Sequence, residues 1–197
     1  MSKKKKIKIN AIGLIVEDNS DFKSFKIIIS RILNRNNLTF KKQIGNGCGK
    51  MRRKAVSYAD ILYRKGCDLV ILVHDLDRNN LKTLEKNLND LINKSKVENK
   101  FVCIPIEEIE GWFLADPDGI KNTFNLKRVP KIKGNPESVA SPKERLEDFV
   151  YHCSDKSKMY LNTQHNDLLS ANLCLNKISS NSKSFKKFKE NINSYEY

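Results

Sequence analysis

The first clear hydrophobic signal in the chain is Ala11–Val16 (AIGLIV), an unbroken apolar run of the kind expected of a strand covered on both faces. The period then changes. Phe22, Phe25, Ile28, Ile29, Ile32 and Leu33 recur at steps of three and four residues, which predicts an amphipathic helix. Asn19 or Ser20 can cap it, and Asn36-Asn37 ends it. A weaker strand is expected over Thr39–Ile44, followed by a turn rich in glycine (Gly45, Gly47, Gly49). A second helix is predicted over 52–64, stopped by Gly66. The segment 68–74 (DLVILVH) is the strongest strand signal of the chain. Leu81, Leu84, Leu88, Leu91 and Ile92 predict a third helix over 81–93, and 101–106 reads as a fourth strand.

Strand and helix signals thus alternate, which predicts an α/β fold, Rossmann-like, with a mainly parallel four-stranded sheet flanked by helices. The pattern shifts after Trp112. Pro117, Pro130, Pro136 and Pro142 fall in a loop-rich stretch, helices are predicted over 143–152 and 166–177, and 179–189 is rich in lysine and serine. The expected organisation is an α/β domain over 1–116 with a loop-rich, helical C-terminal extension over 117–197 packed on it.

Charge narrows the partners. Thirty-seven basic residues against 23 acidic ones give a formal net charge of +14, which favours nucleic acid, DNA or RNA. The basic cluster over 3–6 is a solvated lead-in or a nonspecific phosphate contact. No apolar run reaches membrane-spanning length, so no membrane partner is expected. Cys48, Cys67, Cys103, Cys153 and Cys174 include no CxxC pair, which argues against a zinc knuckle and for reduced thiols in a cytoplasmic setting.

The candidate chemistry is acidic. Glu17 directly follows the first strand, and Asp75 and Asp77 directly follow the third. If those parallel strands are neighbours, their ends open on one edge of the sheet, where ligand sites form. Converging carboxylates repel, and a divalent cation is the usual neutraliser; an all-oxygen set suits Mg2+ or Mn2+. Asp21, four residues beyond Glu17, returns one helical turn later. Glu107 and Glu110 share a face if their segment is helical, and Glu110 is the preferred additional acid, for a second metal or for positioning water. The run Gly45-Asn46-Gly47-Cys48-Gly49-Lys50 lacks the spacing of an NTPase phosphate loop, but its amides with Lys50, Arg52 and Arg53 suit a nucleic-acid phosphate. Lys158 is a candidate for neutralising a developing phosphate charge. His74 and Trp112 read as structural.

Glu17 after the first strand and the Asp75-x-Asp77 pair after the third resemble the Toprim fold over residues 10–116. That family includes topoisomerases, primases and small nucleases, among them the overcoming-lysogenization-defect nucleases. Its first motif is often Glu-Gly-x-x-Asp/Glu; here it is Glu17-Asp18-Asn19-Ser20-Asp21, with Asp18 in place of glycine. The segment 104–116 (IPIEEIEGWFLAD), with the later Ser184-Phe185, is similar to a small Toprim-related group, the DUF4276-like proteins. The resemblance implies a metal-dependent nuclease hydrolysing phosphodiesters. Glu17, Asp75, Asp77 and Glu110 would be catalytic, Glu17, Asp21, Asp75 and Asp77 would hold metal, and a C-terminal lysine such as Lys158 would assist. It also implies an anti-phage defence role beside a partner ATPase. One alternative is a noncatalytic nucleic-acid or partner-binding module. Another is a receiver-type signalling domain, which Leu14-Ile15-Val16-Glu17-Asp18-Asn19 resembles with Asp75 as phosphoacceptor; however, Leu76-Asp77-Arg78 stands where receivers carry Met-Pro.

Overall fold

In the computed structural model, which describes residues 8–197, β1 (Ala11–Val16) is buried along its whole length and paired on both edges. The basic cluster over 3–6 lies outside the described residues. The order continues with α1 (Asn19–Leu33), β2 (Thr39–Ile44), α2 (Cys48–Arg64), β3 (Leu69–Val73), α3 (Leu81–Ile92) and β4 (Asn99–Cys103). Beyond β4 come α4 (Glu110–Phe113), α5 (Pro117–Phe124), a 3-10 turn at Pro136–Ser138, α6 (Pro142–Cys153), α7 (Asn162–Asn172), α8 (Leu175–Asn181) and α9 (Lys183–Asn193). The sheet is parallel throughout, in the order β2-β1-β3-β4. β1 and β3 are therefore the inner pair, and Glu17 and Asp75 leave the same edge side by side. This is the α/β architecture that the alternating periods predict. No helix among the described residues is long and apolar enough to cross a membrane.

Alternation along the inner strands feeds two cores. Ile15, Val70 and Leu72 face α2 and α3, where Met51, Ala55, Ala59, Leu62, Leu84 and Leu88 cover them. Gly13 is needed on this side, because a Cβ there would lie 2.9 Å from Leu62 Cδ1. Ile12, Leu14, Val16, Leu69, Ile71 and Val73 face α1 and the later helices. The hub of this larger core is Trp112, fully buried with ring centroids 5.5 Å from Phe25, 5.0 Å from Phe185 and 5.4 Å from Phe188. Its Nε1 donates to Ser184 Oγ at 2.7 Å, so burying the indole leaves no donor unpaired. The last helices thus share one core with the sheet. Arg31 of α1 reinforces the contact by donating to the carbonyls of Ser170 and Leu173, both at 2.7 Å.

Several boundaries differ from the sequence expectation. α1 is capped by Asp18, whose Oδ1 accepts from the amides of Ser20 and Asp21, rather than by Asn19 or Ser20. α2 begins at Cys48 instead of 52, because Gly47 at φ 106° turns the chain early enough for a full turn more. β4 starts at Asn99 and stops at Cys103, since Pro105 and the left-handed Glu107 (φ 59°) turn the chain away from the sheet. The helix expected over 166–177 is two helices, divided where Leu173 is extended. The lysine-rich segment carries α9, which buries Phe185, Phe188 and Ile192.

Candidate metal and phosphate site

The carboxyl edge of the inner strands opens into a pocket of about 170 Å³ lined by Glu17, Asp18, Asp21, Asp75, Glu108, Glu110, Lys143, Asn162 and Asn166. Each side chain arrives by a different local device. Glu17 and Asp75 extend β1 and β3. Asp21 sits at the third position of α1 in a capping box, where its Oδ2 accepts from the Asp18 amide at 3.3 Å. Asp18 caps α1 through its side chain, a role that a glycine could not fill. Glu108 comes from the bend after β4 and Glu110 opens α4, and Glu108 Oε2 accepts from the Lys143 amide at 3.1 Å, which fastens α6 to the rim.

Glu110 is the deepest of these acids, 4% exposed. Its Oε1 accepts from Tyr160 Oη at 2.7 Å and from Asn166 Nδ2 at 3.3 Å, while Tyr160 also hydrogen-bonds Asn166 Oδ1. Among the described residues its Oε2 has no partner. The clustered acids raise the proton affinity of Asp21, Asp75 and Glu108. Burial, reinforced by Asp18, Glu110 and Glu17, brings Asp21 up to about 7. Asp75 stands well above the usual carboxylate range, through burial first and then Asp21, Glu110, Asp77 and Glu108. Burial and Glu110 also raise Glu108 and push the Tyr160 phenol up.

Asp77 stands just outside that lining, in an adjoining pocket with Arg78, Glu107, Glu108, Ser141 and Glu144. Cys48 connects the two halves: its thiol is 3.0 Å from Glu17 Oε2 and 3.3 Å from Asp77 Oδ2. Burial and these carboxylates hold the thiol well above its ordinary range, so Cys48 is a neutral donor between two acceptors. Among the described residues, no three His, Cys, Asp or Glu side chains already stand at the mutual distances of a closed metal cage. The acids ring the pocket instead, as mutual repulsion requires.

Of the residues singled out in the sequence, Glu17, Asp21, Asp75 and Glu110 share one pocket, and Asp77 adjoins it. Glu107 and Glu110 do not share a helical face, because Glu107 precedes the short α4 in a left-handed turn. Lys50, Arg52 and Arg53 are exposed on the opening turns of α2. Lys158 is elsewhere: its Nζ donates to the carbonyls of Phe124 and Asn125, closing the C-terminus of α5. The cation on the pocket wall is Lys143, which sequence reasoning passed over within a proline-rich stretch. Pro142 in the first turn of α6 is the local signal that fixes it there. Cys48, Tyr160 and Asn166 were also missed, because only the tertiary fold brings them to the acids. His74 is buried, with Nδ1 2.6 Å from the Asp75 carbonyl and Nε2 without a hydrogen-bond partner among the described residues.

A parallel, four-stranded α/β sheet with an acidic pocket at its carboxyl edge defines the class of protein. Within it, the chain belongs to the family described as "Domain of unknown function (DUF4276)", whose profile matches residues 16–193, from the end of β1 to the end of α9. No curated protein and no solved structure matches the chain.

Proposed function

We propose that this protein is a Mg2+- or Mn2+-dependent nuclease of Toprim type, hydrolysing phosphodiester bonds in DNA or RNA. The observation that carries the reading is Glu110. A carboxylate 4% exposed, fixed through Oε1 by two neutral donors, faces Asp75 and Asp21, and among the described residues its Oε2 has no partner and no basic side chain is bonded to it. Oxygen donors of this kind fit a hard divalent cation. Asp75, Asp21, Glu110 and Glu17 would hold it, with Asp77 beside a second position. The cation would supply Lewis acidity toward the phosphate ester and toward water. Tyr160 and Asn166 orient Glu110. Lys143 places positive charge on the pocket wall, where a phosphate gaining negative charge is stabilised. Lys50, Arg52 and Arg53 present exposed charge to the nucleic-acid backbone. The family resemblance extends the proposal to a defence role beside a partner ATPase.

The absence of a closed cage among the described residues favours a second reading, a noncatalytic nucleic-acid-binding module. Mn2+ titration followed by cleavage assays on single- and double-stranded DNA and RNA separates the two. The nuclease reading expects cutting that EDTA abolishes and that Asp75→Asn lowers by at least about 100-fold while nucleic acid still binds, from the several kcal/mol that a metal site supplies. Binding without cutting would establish the module; undiminished cutting by Asp75→Asn would remove this site from the reaction.

A further inference from the structure

The turn that carries Asp77 is backbone-strained and is held by a residue that the cation site itself does not use. Asp77 (φ 48°) and Arg78 (φ 61°) are consecutive left-handed residues, neither of them glycine. Such conformations cost on the order of 1–3 kcal/mol each and persist only where surrounding contacts dictate them. The contacts here come from Glu107, itself left-handed at φ 59°. Its carbonyl accepts from the Asp77 amide at 3.4 Å and its Oε2 accepts from the Arg78 amide at 2.8 Å. One residue beyond β4 therefore grips two successive amides beyond β3. The neighbouring Leu76 amide donates to the Pro105 carbonyl at 3.2 Å, which anchors the same stretch. At the far end of the turn, Asn79 Nδ2 donates to the carbonyl of Leu76 at 2.7 Å. The outcome is the direction of one side chain: Asp77 Oδ2 lies 3.3 Å from the Cys48 thiol, which also meets Glu17.

We propose that Glu107 is a positioning residue: by chelating the Asp77 and Arg78 amides it holds the Asp77 carboxylate toward Glu17 for cation binding. The inference rests on the metal-dependent reading above and adds to it a residue that acts through another. Its charge is incidental and its reach is what matters. Glu107→Gln keeps an oxygen acceptor at the same distance, whereas Glu107→Asp keeps the charge but is one methylene too short for the Arg78 amide.

The test is Mn2+ affinity of the full chain by calorimetry, with amide hydrogen exchange at Arg78 measured on the same samples. Glu107→Gln is expected to bind Mn2+ within about threefold of wild type and to protect Arg78. Glu107→Asp and Glu107→Ala should bind about 10- to 100-fold more weakly, the usual effect of losing an orienting partner, with Arg78 exchange accelerated. If Glu107→Gln loses affinity and Glu107→Asp keeps it, Glu107 acts by its charge and the positioning role is wrong. Equal Mn2+ affinity in all variants is also fatal to it. A wild-type chain that binds no Mn2+ brings down the metal reading itself, an outcome distinct from these. Should Glu107→Ala not fold, the Gln and Asp pair alone decides.

Discussion

Asp21 shows how far the environment of one carboxyl can be read as a stability term. Its pKa is raised to about 7 from an ordinary 3.8, by burial first and then by Asp18, Glu110 and Glu17. The folded protein therefore favours the neutral acid. That contribution is fully present below the unfolded value near 3.8 and is lost as pH rises through about 7. At about 1.4 kcal/mol per pKa unit, the loss is on the order of 4 kcal/mol. Urea unfolding of metal-free protein should show wild type losing this much relative to Asp21→Asn between pH 4 and pH 8; parallel pH profiles for the two proteins would contradict it. Mn2+ should reverse the trend, because ionised acids are what a cation binds. At this scale the sequence was legible where chemistry depends on strand ends: Glu17 and Asp75 follow continuous apolar runs, so their meeting needed only neighbouring parallel strands. It was not legible for the lysines. Lys143 and Lys158 both lie in polar stretches, and only the carbonyl or pocket that each one meets in space separates their roles.

At the scale of elements, the joints between helices matter more than the helices themselves. Asp116 is 1% exposed and caps α5, with Oδ1 accepting from the Gly119 amide at 3.1 Å. Its Oδ2 accepts from the Cys174 amide at 2.8 Å, at the break between α7 and α8. One carboxylate thus fastens three helices. Gly119 is packed against it so tightly that a Cβ would fall 2.2 Å from Asp116 Oδ2 and 2.6 Å from Leu173 Cδ2. Gly119→Ala, elsewhere a favourable helix substitution, should here destabilise by roughly 1–3 kcal/mol, the usual range for overpacking. A neutral or raised thermal midpoint would refute that account of the joint. The break at Leu173 was invisible in the sequence because both flanking segments keep helical character; it is a tertiary contact, not a glycine or proline, that divides them. Lys183, Lys186, Lys187 and Lys189 read as a solvated helix face, but α9 hid its buried face for a different reason. Its lysines dominate the composition, and the apolar stripe of Phe185, Phe188 and Ile192 is too sparse to stand out without the core that it fills.

For the molecule as a whole, the formal charge of +14 coexists with an acidic pocket, so the basic surface and the clustered acids are spatially separated. In the proposed nuclease, exposed cations such as Lys50, Arg52 and Arg53 would gather a polyanion, and the acids would repel it until a cation intervened. Binding of a DNA or RNA oligonucleotide should weaken steeply with salt. Replacing Lys50, Arg52 and Arg53 together by alanine should reduce the slope of log K against log salt by about 2–3, close to one per lost phosphate contact. An unchanged slope would place the nucleic-acid track elsewhere.

Because α9 seals the core around Trp112 and α7 supplies Asn166 to Glu110, the pocket is assembled from segments far apart in the order of synthesis. A nascent chain that has released only the sheet and its first three helices from the ribosome already carries Glu17, Asp75 and Asp77. It still lacks Glu110 and Trp112, and also Tyr160 and Asn166, which hold Glu110 in place. Translation thus completes the pocket only when the C-terminal helices are made, so an interrupted polypeptide would expose an unfinished core and be a target for proteolysis.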